Sequence, residues 1–215
     1  MKLALFGGTF DPIHGAHLAV ARAAAERLGL DRVLFVPSAH PPHKHGATYA
    51  PYDDRVRMVE VALAGEPRFL ASRLEEGTAR SYSVDTIEKL RAGLAPGDEL
   101  FFIIGADAFA EIQTWYRWKD VARSVTFVVA SRPGHDFHVP AGVRVERLDG
   151  MDMEVSSSAI RRALAEGKRP PEVPASVLDY IAEKGLYRGR RLQRVCPPAP
   201  QERRQAAGPN PPRHS

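Results

Sequence analysis

Cysteine, long apolar runs and recognisable phosphate loops are what this 215-residue chain has least of. A single cysteine, Cys196, excludes an internal disulfide framework and suits a reducing compartment. No stretch approaches the ~20 apolar residues that span a bilayer. The short apolar run before Gly7 is no signal-peptide core either, so a cytoplasmic protein without a membrane role is expected. No G-x-G-x-x-G turn with a following acid is present, and no loop ends in G-K-[ST]; a dinucleotide turn and a Walker loop are both excluded. The H-E-x-x-H pattern of a zinc hydrolase is missing as well.

Basic charge on the folded body is also absent, although the formal net charge of +4 hides this. Residues 188–215 hold seven arginines and one acid, Glu202, which gives that segment +6 and leaves the rest at −2. Nucleic-acid binding calls for a basic face on the domain itself, so no nucleic-acid partner is expected. The same segment holds six of the 18 prolines and few large apolar residues, and it reads as a disordered basic tail. The chain therefore divides into one domain, 1–187, and a Pro-rich tail, 188–215.

Within the body, apolar runs alternate with helical patterns. Strands are expected at 2–6, 32–36, 68–72, 99–105, 124–131 and 143–148. Helices are expected at 16–28, 53–63, 83–94, 157–167 and 175–184, with a long loop at 37–52. Several of the strands are apolar on both faces, which implies a parallel sheet with helices covering both sides. The fold class is α/β, a Rossmann-like doubly wound sheet closed by a short C-terminal helical segment. Ligands of such sheets bind outside the carboxyl ends of the strands. The segment "FGGTFDPIHGAHL" (6–18), the loop "HPPHKHG" (40–46) and the turn at Gly105 all follow strands and should converge there.

The first segment carries the most chemistry. Gly7 and Gly8 let backbone approach a ligand, and the helix start beyond them favours anions. His14 and His17, at i and i+3 in the first turn, project from one side and could reach phosphoryl oxygens. Zinc is an alternative, since His14, His17, His40, His43 and His45 are five of the eight histidines, though no cysteine lies nearby. Lys44, in the proline-bearing loop, is a point charge suited to a polyphosphate. "SSSAIRR" (156–162) starts a late helix whose serines supply an N-cap, while Ile160 and Leu164 face inward and Arg161 falls off their stripe. Hydroxyls, free N–H groups and that guanidinium make a second anion site. "WYRW" (115–118) is either core or a platform for a flat ring.

Taken jointly, "GGTFDPIHGAHL", "PPHK", "SYSVDT", "GAD", "WYRW" and "SSSAIR", in this order and spacing, resemble the bacterial nicotinate-nucleotide adenylyltransferases. The likeness runs from about Met1 to Tyr187 and includes "VLDYIAEKGLY" (177–187) as the family's last helix. The first motif alone would indicate only the wider nucleotidyltransferase superfamily. Ala16 stands where that family's G-x-F-D-P-x-H-x-G-H pattern has glycine, and Ser158 stands where threonine is usual. Both residues suit a helix start, so activity is expected to survive.

The resemblance implies transfer of AMP from ATP to nicotinic acid mononucleotide, with Mg²⁺ on the phosphates and no covalent enzyme intermediate. It assigns catalysis to His17, His14, Lys44 and Arg161. ATP contacts fall to Gly8, Thr9, Phe10, His14, His17, Lys44, Ser157, Ile160 and Arg161. The mononucleotide falls to Thr86, Asp107, Trp115 and Tyr116, with Trp115 stacked on the pyridine and backbone N–H groups near Thr86 and Tyr116 receiving its carboxylate. No side chain is assigned to hold a metal. Rival readings are an adenylyltransferase for nicotinamide mononucleotide or phosphopantetheine, and a non-catalytic nucleotide-binding protein; a homodimer is one option for the assembly. Because the motifs end before the tail, removing residues 190–215 should leave the turnover number unchanged. A large loss of pyrophosphate release in the shortened chain would show that the tail belongs to the site.

Overall fold

Strands that are apolar on both faces can be satisfied only in the middle of a covered sheet, and the central strand here shows how. In a computed structural model that describes residues 1–40, 48–78, 80–134, 136–151 and 155–188, β1 (Lys2–Gly8) pairs in parallel with both β2 (Arg32–Pro37) and β4 (Glu99–Gly105). β3 (Phe69–Ala71), β5 (Thr126–Ala130) and β6 (Val145–Leu148) extend the sheet to the order β3-β2-β1-β4-β5-β6, every pairing parallel. Alternation along β1 sends Ala4 and Phe6 to one face and Leu3 and Leu5 to the other.

Each face is covered. Ala4 and Phe6 pack under α1 (Gly15–Leu28), α2 (Tyr52–Ala62), α6 (Ser157–Ala165) and α7 (Ala175–Lys184). Small residues at Ala21, Ala24 and Ala25, all fully buried, let α1 lie close against the sheet. Leu3 and Leu5 pack under α3 (Ser83–Ala92), α4 (Ala106–Ala110) and α5 (Trp118–Ser124). Burying each such large apolar side chain contributes roughly 1.5–3 kcal/mol, and the two cores together fix the layers.

The consequence for function is topological. The chain leaves β1 toward β2 on one side and returns to β4 on the other, so a crevice opens at the carboxyl ends of β1 and β4. The expected elements match closely at β4 and α7, while β1 runs two residues further, to Gly8. Three short pieces were not expected: α4, a 3-10 turn at Ile112–Thr114, and α5. Each is too short for a 3.6-residue period to show in sequence. The tail beyond Arg188, and with it Cys196, lies outside the described residues, as does most of the "HPPHKHG" loop. No described helix is long and apolar enough to cross a membrane.

Candidate active site

Two cavities meet at the β1/β4 crevice. The smaller, about 270 Å³, is lined by His14, His17, Asp107, Arg132, Val155 and Ser157 among others. The larger, about 740 Å³, is lined by Gly8, Thr9, Glu75, Ser83, Thr86, Trp115 and Tyr116 among others. Phe6, His17, Val20, Gly105, Ala130 and Ser157 belong to both, so the two form one cleft with a shared waist.

The waist is set by the turn between β1 and α1. Phe10 adopts a left-handed φ of 45°, uncommon for a bulky residue, and folds its ring back over Gly8. A Cβ at Gly8 would come within 3.1 Å of that ring, so a side chain there would press the ring outward. Phe6, Phe10 and Phe35 pack edge-on or tilted against one another, and Phe6 and Phe10 support the His17 ring. Gly15, at the start of α1, is drawn against the chain before α7: its N–H donates to the Glu172 carbonyl at 2.6 Å, and a Cβ would crowd that oxygen at 3.2 Å.

Both histidines lie where the spacing placed them. His14 is the N-cap of α1, and its backbone N–H donates to Nδ1 of His17 at 3.2 Å. A neutral imidazole that accepts at Nδ1 carries its proton on Nε2, so His17 is set up as an Nε2–H donor. The two rings lie 3.8 Å apart between centroids. His14 is buried, and its Nδ1 has no partner among the described residues. Burial pushes its pKa from the ordinary 6.5 down to about 4, which keeps the ring neutral at physiological pH.

Behind the turn lies a buried polar cluster. Asp11 accepts at Oδ2 from the Tyr49 N–H (2.7 Å) and at Oδ1 from the Ala50 N–H (3.2 Å) and the Tyr187 hydroxyl (2.7 Å). Arg55, from α2 and fully buried, donates to the carbonyls of Thr9 (2.8 Å) and Ala50 (3.2 Å). Burial lowers its pKa, an effect that nearby Asp11 opposes. Arg161 donates to the Asp11 carbonyl (2.6 Å) and the Ser158 hydroxyl (3.0 Å), with its guanidinium 4.2 Å from the Tyr49 ring centroid.

That last arrangement corrects the reading of Arg161 as a residue off the apolar stripe, because the side chain is buried and each terminal nitrogen makes one bond to the protein, while its Nε has no partner among the described residues. The expected serine cap differs too. Ser156 is the N-cap of α6 but makes no side-chain capping bond, and the Ser158 hydroxyl serves Arg161 instead. Of the remaining expected residues, Gly8, Thr9, Ser157, Thr86, Trp115 and Tyr116 line the larger lobe. Asp107, expected beside the mononucleotide, lines the smaller one. Phe10 and Ile160 are buried behind the walls, and Lys44 lies outside the described residues.

The larger lobe is an aromatic slot ending at a helix start. Phe102 and Trp115 lie 6.0 Å apart between centroids, and Tyr82 leans at 35° against exposed Tyr116 at 4.6 Å. The N–H groups of Asp85 and Thr86 bond the Tyr82 carbonyl, so among the described residues the donors left at the start of α3 are those of Ser83 and Val84, of which Ser83 lines the lobe. Buried Glu75 ties the walls together, accepting from the Thr86 hydroxyl (2.9 Å) and the Ala39 N–H (3.3 Å). Sequence reasoning missed Glu75 and Arg132. Nothing local marks Glu75, but Arg132 lies two residues past the end of β5 and falls under the same rule that found the other loops. Among the described residues no group of three His, Cys, Asp or Glu side chains gathers as a metal site.

Residues 5–163 match the cytidylyltransferase-like family model. A relative from Solibacter usitatus, named "Probable nicotinate-nucleotide adenylyltransferase", is 65% identical over 187 residues, covering 87% of this chain and 100% of the relative. One of the same name from Thermus thermophilus is 46% identical over 190 residues, with the same two coverages. Among solved structures, Plasmodium falciparum nicotinic acid mononucleotide adenylyltransferase complexed with NaAD superposes with a TM-score of 0.70 at 19% identity. That superposition covers 86% of this chain and 97% of the other, and the likeness is one of fold.

The buried neutral His14 makes stability depend on pH. Its pKa is lower folded than unfolded, so between pH 6.5 and 4 the unfolded chain binds the extra proton, and stability falls as pH drops through that window. The loss from this residue is on the order of 3 kcal/mol at most. In urea titrations at pH 7 and pH 4.5, the wild-type chain should lose more stability than His14→Asn, and equal losses would mean that His14 is not desolvated.

Proposed function

The chain belongs to the cytidylyltransferase-like family and, within it, to the nicotinate-nucleotide adenylyltransferases, and from that premise we propose how its cleft works. It transfers AMP from ATP to nicotinic acid mononucleotide, giving nicotinic acid adenine dinucleotide and pyrophosphate, a step in making NAD. The observation that carries the mechanism is the shared waist: His17 lines both lobes. A nucleotide in the smaller lobe and a mononucleotide in the larger one would bring an α-phosphorus and a 5′-phosphate together beside that ring.

The chemistry then needs no protein nucleophile. An acceptor phosphate oxygen attacks the α-phosphorus in line, the bond to the bridging oxygen breaks, and pyrophosphate leaves. Catalysis is positioning plus donors aimed at oxygens on which charge builds. The Nε2–H of His17 is such a donor, already turned by the His14 N–H on its Nδ1. Neutral His14 beside it acts as a dipole and not as a formal charge.

Arg132, exposed and without an ion pair among the described residues, supplies a cation on the smaller lobe's wall. Lys44 keeps its proposed place on the departing pyrophosphate, by family likeness alone. Arg161 holds the turn through its terminal nitrogens and, by family likeness, keeps its proposed place toward the triphosphate. Asp107 on the smaller lobe suits the hydroxyls of the ATP ribose.

In the larger lobe, Trp115 offers a face to the pyridine ring, and the backbone N–H groups of Ser83 and Tyr116 offer donors to its carboxylate. An amide would turn its own N–H₂ toward some of them, which is the proposed source of acid preference. Mg²⁺ fits this donor set as an ion carried on the triphosphate, with phosphate oxygens and waters for ligands rather than a protein cage. It neutralises phosphate charge when bound. The substrates and the single cysteine suit the cytoplasm.

Incubation with ATP, Mg²⁺ and each candidate acceptor tests the reading. Pyrophosphate should appear with nicotinic acid mononucleotide, more slowly with the amide mononucleotide, and not with phosphopantetheine. Silence with the acid mononucleotide would sink it. His17→Ala should lower kcat by ~10²-fold or more, as loss of one oxyanion donor does. Unchanged turnover in that variant would reduce His17 to a structural role.

A further inference from the structure

We infer that Tyr187, at the far end of the folded chain, is a positioning residue for His17 and acts through Asp11. The inference rests on the reaction proposed above. Tyr187 follows α7 with a left-handed φ of 61°, which turns its side chain back into the core, where the residue is only 5% exposed. Its hydroxyl donates to Asp11 Oδ1 at 2.7 Å across 176 residues of sequence. Burial and the neighbouring Asp11 carboxylate raise the phenol pKa well above 10, so the hydroxyl remains a donor at any working pH.

Asp11 sits between Phe10, whose backbone is left-handed, and the His14 cap of α1. Thr9 and Asp11 each give a backbone carbonyl to a buried guanidinium, Arg55 and Arg161 respectively. The Asp11 carboxylate takes two N–H donors from residues 49 and 50 and its third donor from Tyr187. Of these three only the Tyr187 hydroxyl can be deleted by a substitution that leaves backbone and ring shape intact. Without it a buried carboxylate oxygen keeps one weaker donor, the Ala50 N–H at 3.2 Å. The turn that carries His14 and His17 would then relax, and small misplacements of a transition-state donor are costly in rate.

Tyr187 lines neither cavity, so its loss should appear in kcat and not in substrate binding. The full-length chain with Tyr187→Phe should show kcat lowered ~10-fold, with KM for ATP and for nicotinic acid mononucleotide within about twofold. Counting competent sites by mononucleotide binding stoichiometry removes any misfolded fraction from the comparison. In a His17→Ala background the same change should have no further effect on kcat, because the hydroxyl acts through that ring. Unchanged kcat in the single variant overturns the inference. A loss of the same factor in both backgrounds overturns it too, since the hydroxyl would then act independently of His17. A wild-type chain without pyrophosphate release would instead remove the reaction beneath it.

Discussion

The cleft depends on one buried carboxylate. Asp11 sits in the connection between the central strand and the first helix, almost out of reach of solvent, with three hydrogen-bond donors on its two oxygens. Two guanidinium groups, from Arg55 and Arg161, lie in the same interior and each gives one hydrogen bond to a backbone carbonyl of that connection, Thr9 and Asp11 respectively. A carboxylate or a guanidinium alone would be severely penalised there, whereas the set with its partners is tolerated. Removing one member of such a buried charge cluster strands another, at a cost of about 3–5 kcal/mol. The cluster therefore selects one shape for a turn that includes a left-handed phenylalanine.

From that shape the chemistry follows. The turn delivers the His14 N–H onto His17 Nδ1, and the aromatic rings of Phe6 and Phe10 fix the plane of the His17 imidazole. The sheet order supplies the rest: because β1 and β4 are neighbours whose connections depart to opposite sides, the histidine stands at the crevice between two lobes. Neither lobe alone suggests a reaction. A shared wall carrying a pre-turned N–H donor, with an aromatic slot on one side and an exposed arginine on the other, suits joining two nucleotides.

How much of this was legible in the sequence depended on the range of the interaction concerned. Local signals carried well: the apolar run at 99–105 is β4, and the i, i+3 histidines do share one side of the first helical turn. The meeting of the connections after β1 and β4 at the carboxyl edge followed from parallel topology alone. Arg161 shows the limit, because helical periodicity marks it as off the buried stripe while its partner, the Asp11 carbonyl, is 150 residues away. Asp11 itself lay in plain view within "FDPIH", but nothing nearby in sequence reveals its donors. Glu75 and Tyr187 were hidden for the same reason, since each acquires its role from a residue on another element. Local pattern identified groups that can touch a substrate; those that hold them in place are set by tertiary contacts.

The central claim is that AMP passes directly between two substrates held together at His17, without a stop on the protein. The stereochemical course at phosphorus tests it most directly. ATP made chiral at its α-phosphorus by sulfur substitution, turned over with nicotinic acid mononucleotide, should give a dinucleotide of inverted configuration, as one in-line displacement requires. Retention of configuration would mean two displacements through a covalent adenylyl-enzyme and would contradict the account.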